Sequence, residues 1–193
     1  MKRIYFLFLM LVLLPFIGKS QAAYQPGNNV VSVAVGLGGS FGGYVHTTST
    51  PAINLQYERG IWQVGPGVIS LGAYAGFKSY GYSYNYYGGY TYSEKWKYTI
   101  LGLRGAYHLQ QLKGTEFKKF DLYAGLMLSY NILKYKYTDN DPYSNYNVDQ
   151  DYGSNASLTE FIGARYFFNS HFAAMAEVGY GISYLNLGLA YKF

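Results

Sequence analysis

The stretch Asn186-Leu187-Gly188-Leu189-Ala190-Tyr191-Lys192-Phe193 alternates without a break. Leu187, Leu189, Tyr191 and Phe193 share one parity; Asn186, Gly188, Ala190 and Lys192 share the other. Successive side chains of a strand point to opposite faces, so this is a strand with one apolar face and one small or polar face. Its last residue is an aromatic on the apolar face. In water such an edge invites pairing with other chains. Against lipid, with the polar face turned to a lumen, the same pattern is stable.

The same period recurs seven times upstream. It predicts strands over about 30–38, 52–59, 68–80, 95–109, 120–133, 158–168 and 172–180, before the last one ending at Phe193. The connections predicted between them are a Gly/Ser/Thr-rich loop up to Pro51, a turn over 60–67 and a Tyr/Gly/Ser loop over 81–94. A polar connection over 110–119, a long polar loop over 134–157, a tight turn at Asn169-Ser170 and a short link near Gly181 complete the set. Strands of this length suit the ~9–11 residues of a tilted transmembrane strand. The fold class expected is all-β: an eight-stranded antiparallel up-and-down transmembrane β-barrel. An even strand number leaves both ends of the barrel on one side, the periplasm. Three of the four outward connections are then long or glycine-rich and two of the three inward ones short; the short link near Gly181 and the long 110–119 connection fit less well.

The segment before the barrel reads as a secretory signal peptide. Met1-Lys2-Arg3 is basic, Ile4–Ile17 is apolar with Pro15 inside it, and Ser20-Gln21-Ala22 has small residues at the cleavage positions. The run is shorter than the ~20 residues of a spanning helix. The expected division is a signal peptide over 1–22 and a barrel over 23–193. A retained membrane anchor is the alternative for the first part.

Composition agrees with this frame. Aromatic residues make up 20% of the chain and charged residues 13%, with 25 Tyr and 24 Gly. Tyr suits strands and membrane interfaces, and Gly suits the crowded interior of a small barrel. A mean hydropathy of −0.06 argues against a helical membrane protein but not against a barrel, whose apolar residues alternate with polar ones. The absence of Cys excludes disulfides, thiolate metal sites and a Cys nucleophile. The net charge of +5 includes Lys2, Arg3 and Lys19; without the first 22 residues, 12 bases face 10 acids. No Lys/Arg cluster for phosphates stands out along the chain, so nucleic acid is not an expected partner.

In the predicted strands nearly every charge shares the face of Gly, Ser and Asn: Glu58, Lys78, Arg104, Asp121, Arg165, Glu177 and Lys192. Ile100 falls on that face and breaks the pattern. A charge on the lipid face would cost about 2–4 kcal/mol at mid-membrane for Lys or Arg. Glu160 has the outward parity and is therefore expected above the membrane.

Asn186, Gly188, Tyr191 and Phe193 also resemble the C-terminal signal of bacterial outer-membrane barrels: polar residue, Gly, aromatic and terminal Phe at set spacings. The chain after the signal resembles the small eight-stranded barrels of OmpA and OmpX type. The phrases that carry the likeness are Tyr57-Glu58, Gly72-Ala73-Tyr74-Ala75-Gly76, Arg104-Gly105-Ala106-Tyr107-His108, Tyr123-Ala124-Gly125-Leu126 and Gly163-Ala164-Arg165-Tyr166-Phe167-Phe168. The resemblance implies a Gram-negative outer-membrane location. It implies lipid, the barrel-assembly machinery and periplasmic chaperones as partners. It says little about activity.

Four groups are candidate sites. Glu58, Arg104, Arg165 and Glu177 are expected to pair in the lumen, because buried charges without partners are very costly. This either plugs the lumen or lines a narrow channel for small solutes. Tyr82, Tyr84, Tyr86, Tyr87, Tyr90 and Tyr92 surround Gly88-Gly89 and form either a rigid aromatic hairpin or an adhesive surface for an extracellular ligand. Asp139, Asp141, Asp149 and Asp151 are acidic enough for Ca²⁺, but Ser144 and Gln150 break the EF-hand spacing, so no metal or other cofactor is expected. His46, His108 and His171 lack a Ser two residues on, as a lipid-modifying barrel enzyme would need; His108 is expected to pair with Asp121 structurally. A monomeric, non-catalytic barrel with a structural or surface-interaction role is the reading these residues support.

Overall fold

The computed structural model describes residues 24–39, 48–85, 88–109, 119–141, 143, 147–151 and 153–193. Among these residues the strands are β1 (Asn29–Leu37), β2 (Thr48–Ser49), β3 (Ala52–Val64), β4 (Gly67–Asn85) and β5 (Thr91–Leu109). They continue as β6 (Phe120–Asp139), β7 (Val148–Asp151), β8 (Asn155–Phe167), β9 (Phe172–Gly179) and β10 (Leu185–Lys192). Every long strand pairs antiparallel with its chain neighbours, and β1 pairs with β10, which closes the sheet. The result is an eight-stranded up-and-down barrel, with β2 and β7 as short additions on β4 and β6. Closure is completed by two backbone bonds between Asn29 and Phe193, of 3.0 and 2.9 Å. The signal-peptide segment, His46 and most of the 110–119 connection lie outside the described residues.

The parities hold along the long strands, except that β3 changes face at a bulge after Gly60, which leaves Trp62 and Val64 exposed. Ser32, Asn54, Gln56 and Glu58 are buried, while Val33, Leu55, Leu103, Leu128 and Leu189 face out. The outward face is apolar and the inward face carries the polar groups, which inverts the arrangement of a water-soluble barrel.

Three predicted boundaries need correction. The turn expected over 60–67 is only Gly65-Pro66, because β3 runs on through a bulge between Gly60 and Trp62. Gly60 is a close-approach residue, not a turn residue. A Cβ there would meet the Gln25 carbonyl at 2.5 Å, and the Gly60 carbonyl accepts from the Gly27 N–H. The Tyr/Gly/Ser loop expected over 81–94 is mostly strand: β4 and β5 pair up to Asn85 and Thr91. The long loop expected over 134–157 is also largely strand, since β6 reaches Asp139 and β7 and β8 pair with it. These segments carry polar residues on both faces, so period-2 hydrophobicity does not mark them as strands.

The barrel therefore has a tall wall and a short one. Strands β4, β5 and β6 have 19, 19 and 20 residues; β9 and β10 have 8 each. At ~3.3 Å per residue the tall strands rise about twice as far.

The interior is layered. Tyr24, Val30, Val68, Phe167, Ala173 and Ala190 fill the rim where the chain begins and ends. A second apolar cluster, including Tyr74, Ile100, Met127, Phe161 and Ile182, lies toward the far rim. Ile100, an exception in the sequence pattern, is part of this cluster. Polar and charged side chains lie between the two.

Candidate functional site

The charged layer draws on five of the eight barrel strands. Alternation turns Glu58 (β3), Arg104 (β5), Asp121 (β6), Arg165 (β8) and Glu177 (β9) inward, and all five are buried. Arg104 Nε lies 2.8 Å from Glu58 Oε1, and its terminal nitrogen lies 2.6 Å from Glu177 Oε2. Arg165 pairs with Glu58 and, at 3.1 Å, with Asp121. Each carboxylate thus meets a guanidinium, the condition for keeping such charges in a low-dielectric interior. Arg104 also sits 3.9 Å from the Phe161 ring centre and Arg165 sits 4.4 Å from that of Tyr123. Gly163 makes this stacking feasible: a Cβ there would lie 2.2 Å from the Tyr123 ring.

Neutral groups extend the layer. The Tyr123 hydroxyl donates to Glu177 at 3.0 Å and Gln56 donates to Glu177 at 3.3 Å. Gln56 also donates to Asn54, and Asn54 donates to Asn186. Ser183 donates to Asn186 at 2.6 Å. The four residues named from sequence are brought together, with Asp121, Tyr123 and Gln56 as further members. A cavity of about 10 Å³ beside Arg104 and Glu177 has room for about one water.

His108 and Asp121 meet as expected, with Nδ1 2.8 Å from Oδ1. Reading by sequence proximity missed Ser70, whose hydroxyl lies 2.9 Å from His108 Nε2. In the tautomer whose Nδ1 donates to Asp121, Nε2 accepts from the Ser70 hydroxyl. The order Ser–His–Asp matches a hydrolytic triad, but Ser70 and His108 are both wholly enclosed and Tyr24 stacks on the imidazole at 4.0 Å. A nucleophile must reach its substrate and an oxyanion site. The position of Tyr24 was also missed, since it lies outside any periodic segment.

Three of the six tyrosines lie in strands and not in a loop. Tyr82, Tyr84 and Tyr92 are strand residues whose rings approach one another: Tyr82–Tyr92 at 6.0 Å, Tyr84–Tyr92 at 5.8 Å and Tyr92–Tyr137 at 6.0 Å. Tyr90 lies in the turn after Gly88 and Gly89, both at positive φ. Tyr86 and Tyr87 lie outside the described residues. Below them, Trp96 packs on Tyr135 at 4.3 Å.

Asn186 and Gly188 face the interior, and Tyr191 and Phe193 face out. Among the acids, Asp139 and Asp141 cap the backbone N–H groups of Asp141 and Tyr143, and Asp149 lies opposite Lys136 on β7. Ser144 is outside the described residues. Among the described residues no His, Asp and Glu groups gather as a metal site. Glu160 departs from its expected place. Leu158, one step nearer the far rim on the same face, is 66% exposed, so this carboxylate sits within the apolar belt beside Leu126.

No family model matches the sequence, and no curated protein matches it. Solved structures do. The chain is similar to Ail, the attachment invasion locus protein of Yersinia pestis, with 16% identity, 88% of this chain and 100% of that chain covered, and a TM-score of 0.50. Ail in complex with the heparin analogue sucrose octasulfate aligns with the same identity and coverage at 0.49. The N-terminal β-barrel domain of Pseudomonas aeruginosa OprF does so at 0.48. At this identity the likeness is one of fold.

Proposed function

We propose that the chain is an integral outer-membrane β-barrel of a Gram-negative bacterium, with a plugged polar lumen and a structural or surface-interaction role carried by its tall wall. One observation supports this most: the outside is greasy and the inside is charged. Leu103, Ile162, Leu158 and Leu189 each expose more than 60% of their surface around the barrel, far beyond the patch a soluble monomer presents. Aromatic side chains edge this belt, with Phe120, Tyr166, Phe172, Tyr191 and Phe193 near the closing rim.

In this reading the first 22 residues are a cleaved signal, and the rim carrying Asn29 and Phe193 faces the periplasm. Asn186, Gly188, Tyr191 and Phe193 are the mark read by the barrel-assembly machinery after periplasmic chaperones deliver the chain. The ion-pair layer and its apolar caps close the lumen, so the Ser70–His108–Asp121 chain serves packing and not catalysis. Protein extracted from outer membranes should migrate as a compact band that shifts only on boiling. A chain recovered as a compact monomer without detergent would overturn the proposal. In planar bilayers the protein should be silent; steady unit conductance would replace the plugged lumen with a narrow channel.

A further inference from the structure

Folding assembles a charge cluster that the linear sequence does not display. Lys95-Trp96-Lys97 on β5 and Lys134-Tyr135-Lys136 on β6 are 37 residues or more apart in the chain. Their register sets Lys95 opposite Lys136 and Lys97 opposite Lys134. The four lysines are exposed and share the outward face, while Trp96 and Tyr135 pack together on the opposite face. Like charges directly opposite one another destabilise a sheet. A cleft of about 290 Å³ opens among them, lined by Lys95, Lys97, Lys134, Tyr135, Lys136 and Asp149. Asp149 lies opposite Lys136 on β7 and is the acid that lines this cleft.

The location of the block identifies the anion. The lysines continue the outward face of the belt: Leu103, Leu101 and Thr99 lead up to Lys97 and Lys95, and Leu128, Tyr130 and Ile132 lead up to Lys134 and Lys136. Lys134 is two residues past Ile132, about 7 Å along the strand, which is the depth of a lipid headgroup and not of free solution. Lower on the same two strands, an apolar groove of about 630 Å³ runs past Leu103, Gly105, Leu126 and Leu128. Cations above and a groove below fit one amphiphile.

We propose that Lys95, Lys97, Lys134 and Lys136 bind the phosphate groups of a phosphorylated lipid in the outer leaflet. The proposal rests on the membrane orientation given above. The chain after the signal is refolded into phosphatidylcholine nanodiscs containing bisphosphorylated lipid A, the same lipid stripped of phosphate, or neither. Retained lipid is counted by native mass spectrometry, and Trp96 fluorescence is followed in a W62F background. Inorganic phosphate and a soluble sulfated oligosaccharide form separate arms. At about fivefold per lysine near an anionic surface, K95Q/K97Q should lose roughly 25-fold in retention of the phosphorylated lipid. K95R/K97R should keep it, and added salt should weaken it. The proposal is overturned if a quadruple Gln variant with normal heat-modifiable mobility retains the lipid equally, if phosphate-free lipid is held as well, or if the oligosaccharide binds the block as tightly as the lipid. A wild-type chain with no heat-modifiable band would overturn the membrane reading, and this proposal with it.

Discussion

Strands β9 and β10 and the upper halves of β5 and β6 have the same geometry and obey different chemistry. In the short wall Leu187, Leu189, Ala174, Ala176 and Val178 face out, with Met175, Glu177, Asn186 and Gly188 behind them. In the tall wall above Thr99 and Ile132, lysines face out and aromatics stand behind. Both regions are regular ladders. In the proposed membrane reading the solvent changes: lipid requires an apolar outward face, whereas water permits Lys, Ser and Thr there. The two walls meet inside the barrel, where Arg104 of the tall wall reaches Glu177 of the short one.

Breaking that link should give the largest effect. Arg104→Ala leaves Glu58 and Glu177 buried with one partner fewer, and should cost about 3–5 kcal/mol in urea-unfolding titrations in lipid vesicles. Unchanged stability would mean that the ion layer does not join the walls. A charge on the outside should separate the walls next. Leu189→Lys, at the lipid face of β10, should cost about 2–4 kcal/mol in the same assay. Thr138→Lys, on the outward face of β6 above the belt, should stay within about 0.5 kcal/mol. Equal costs would erase the distinction between the two solvents.

Glu160 tests where the belt ends. Glu160→Leu should raise stability by about 1 kcal/mol, since a carboxylate on the lipid face costs less than a Lys or Arg there. A loss would place this carboxylate in contact with water or a partner. The smallest effect belongs to the aromatic stack. Tyr92→Ala removes the ring that meets Tyr82, Tyr84 and Tyr137, and should lower stability by less than about 1 kcal/mol. It should speed proteolysis within 82–92 while leaving heat-modifiable mobility intact.

Legibility followed the same divide. Where the outward face is apolar, the inward or outward direction of each residue could be read from parity, and Glu58, Lys78, Arg104, Asp121, Arg165, Glu177 and Lys192 are all buried as that parity requires. Above the belt the signal failed: Tyr, Ser, Lys and Thr on both faces read as loop over 81–94 and 134–157, although most of these residues are paired strand. Glu160 was misplaced for a related reason, since parity gives the face of a residue but not its height. The ion layer was half legible. That its members point inward follows from alternation; that Arg165 chooses Glu58 and Asp121 depends on stagger.

The sequence by itself determined the strand period, the inward set of charges and the apolar exterior, because each is a local property of alternate residues. Only the tertiary structure decided the partners: Ser70 with His108, Tyr24 over that imidazole, and four lysines in one block. Those neighbours come from distant strands, and their contacts depend on the register with which the sheet closes, which no single strand encodes.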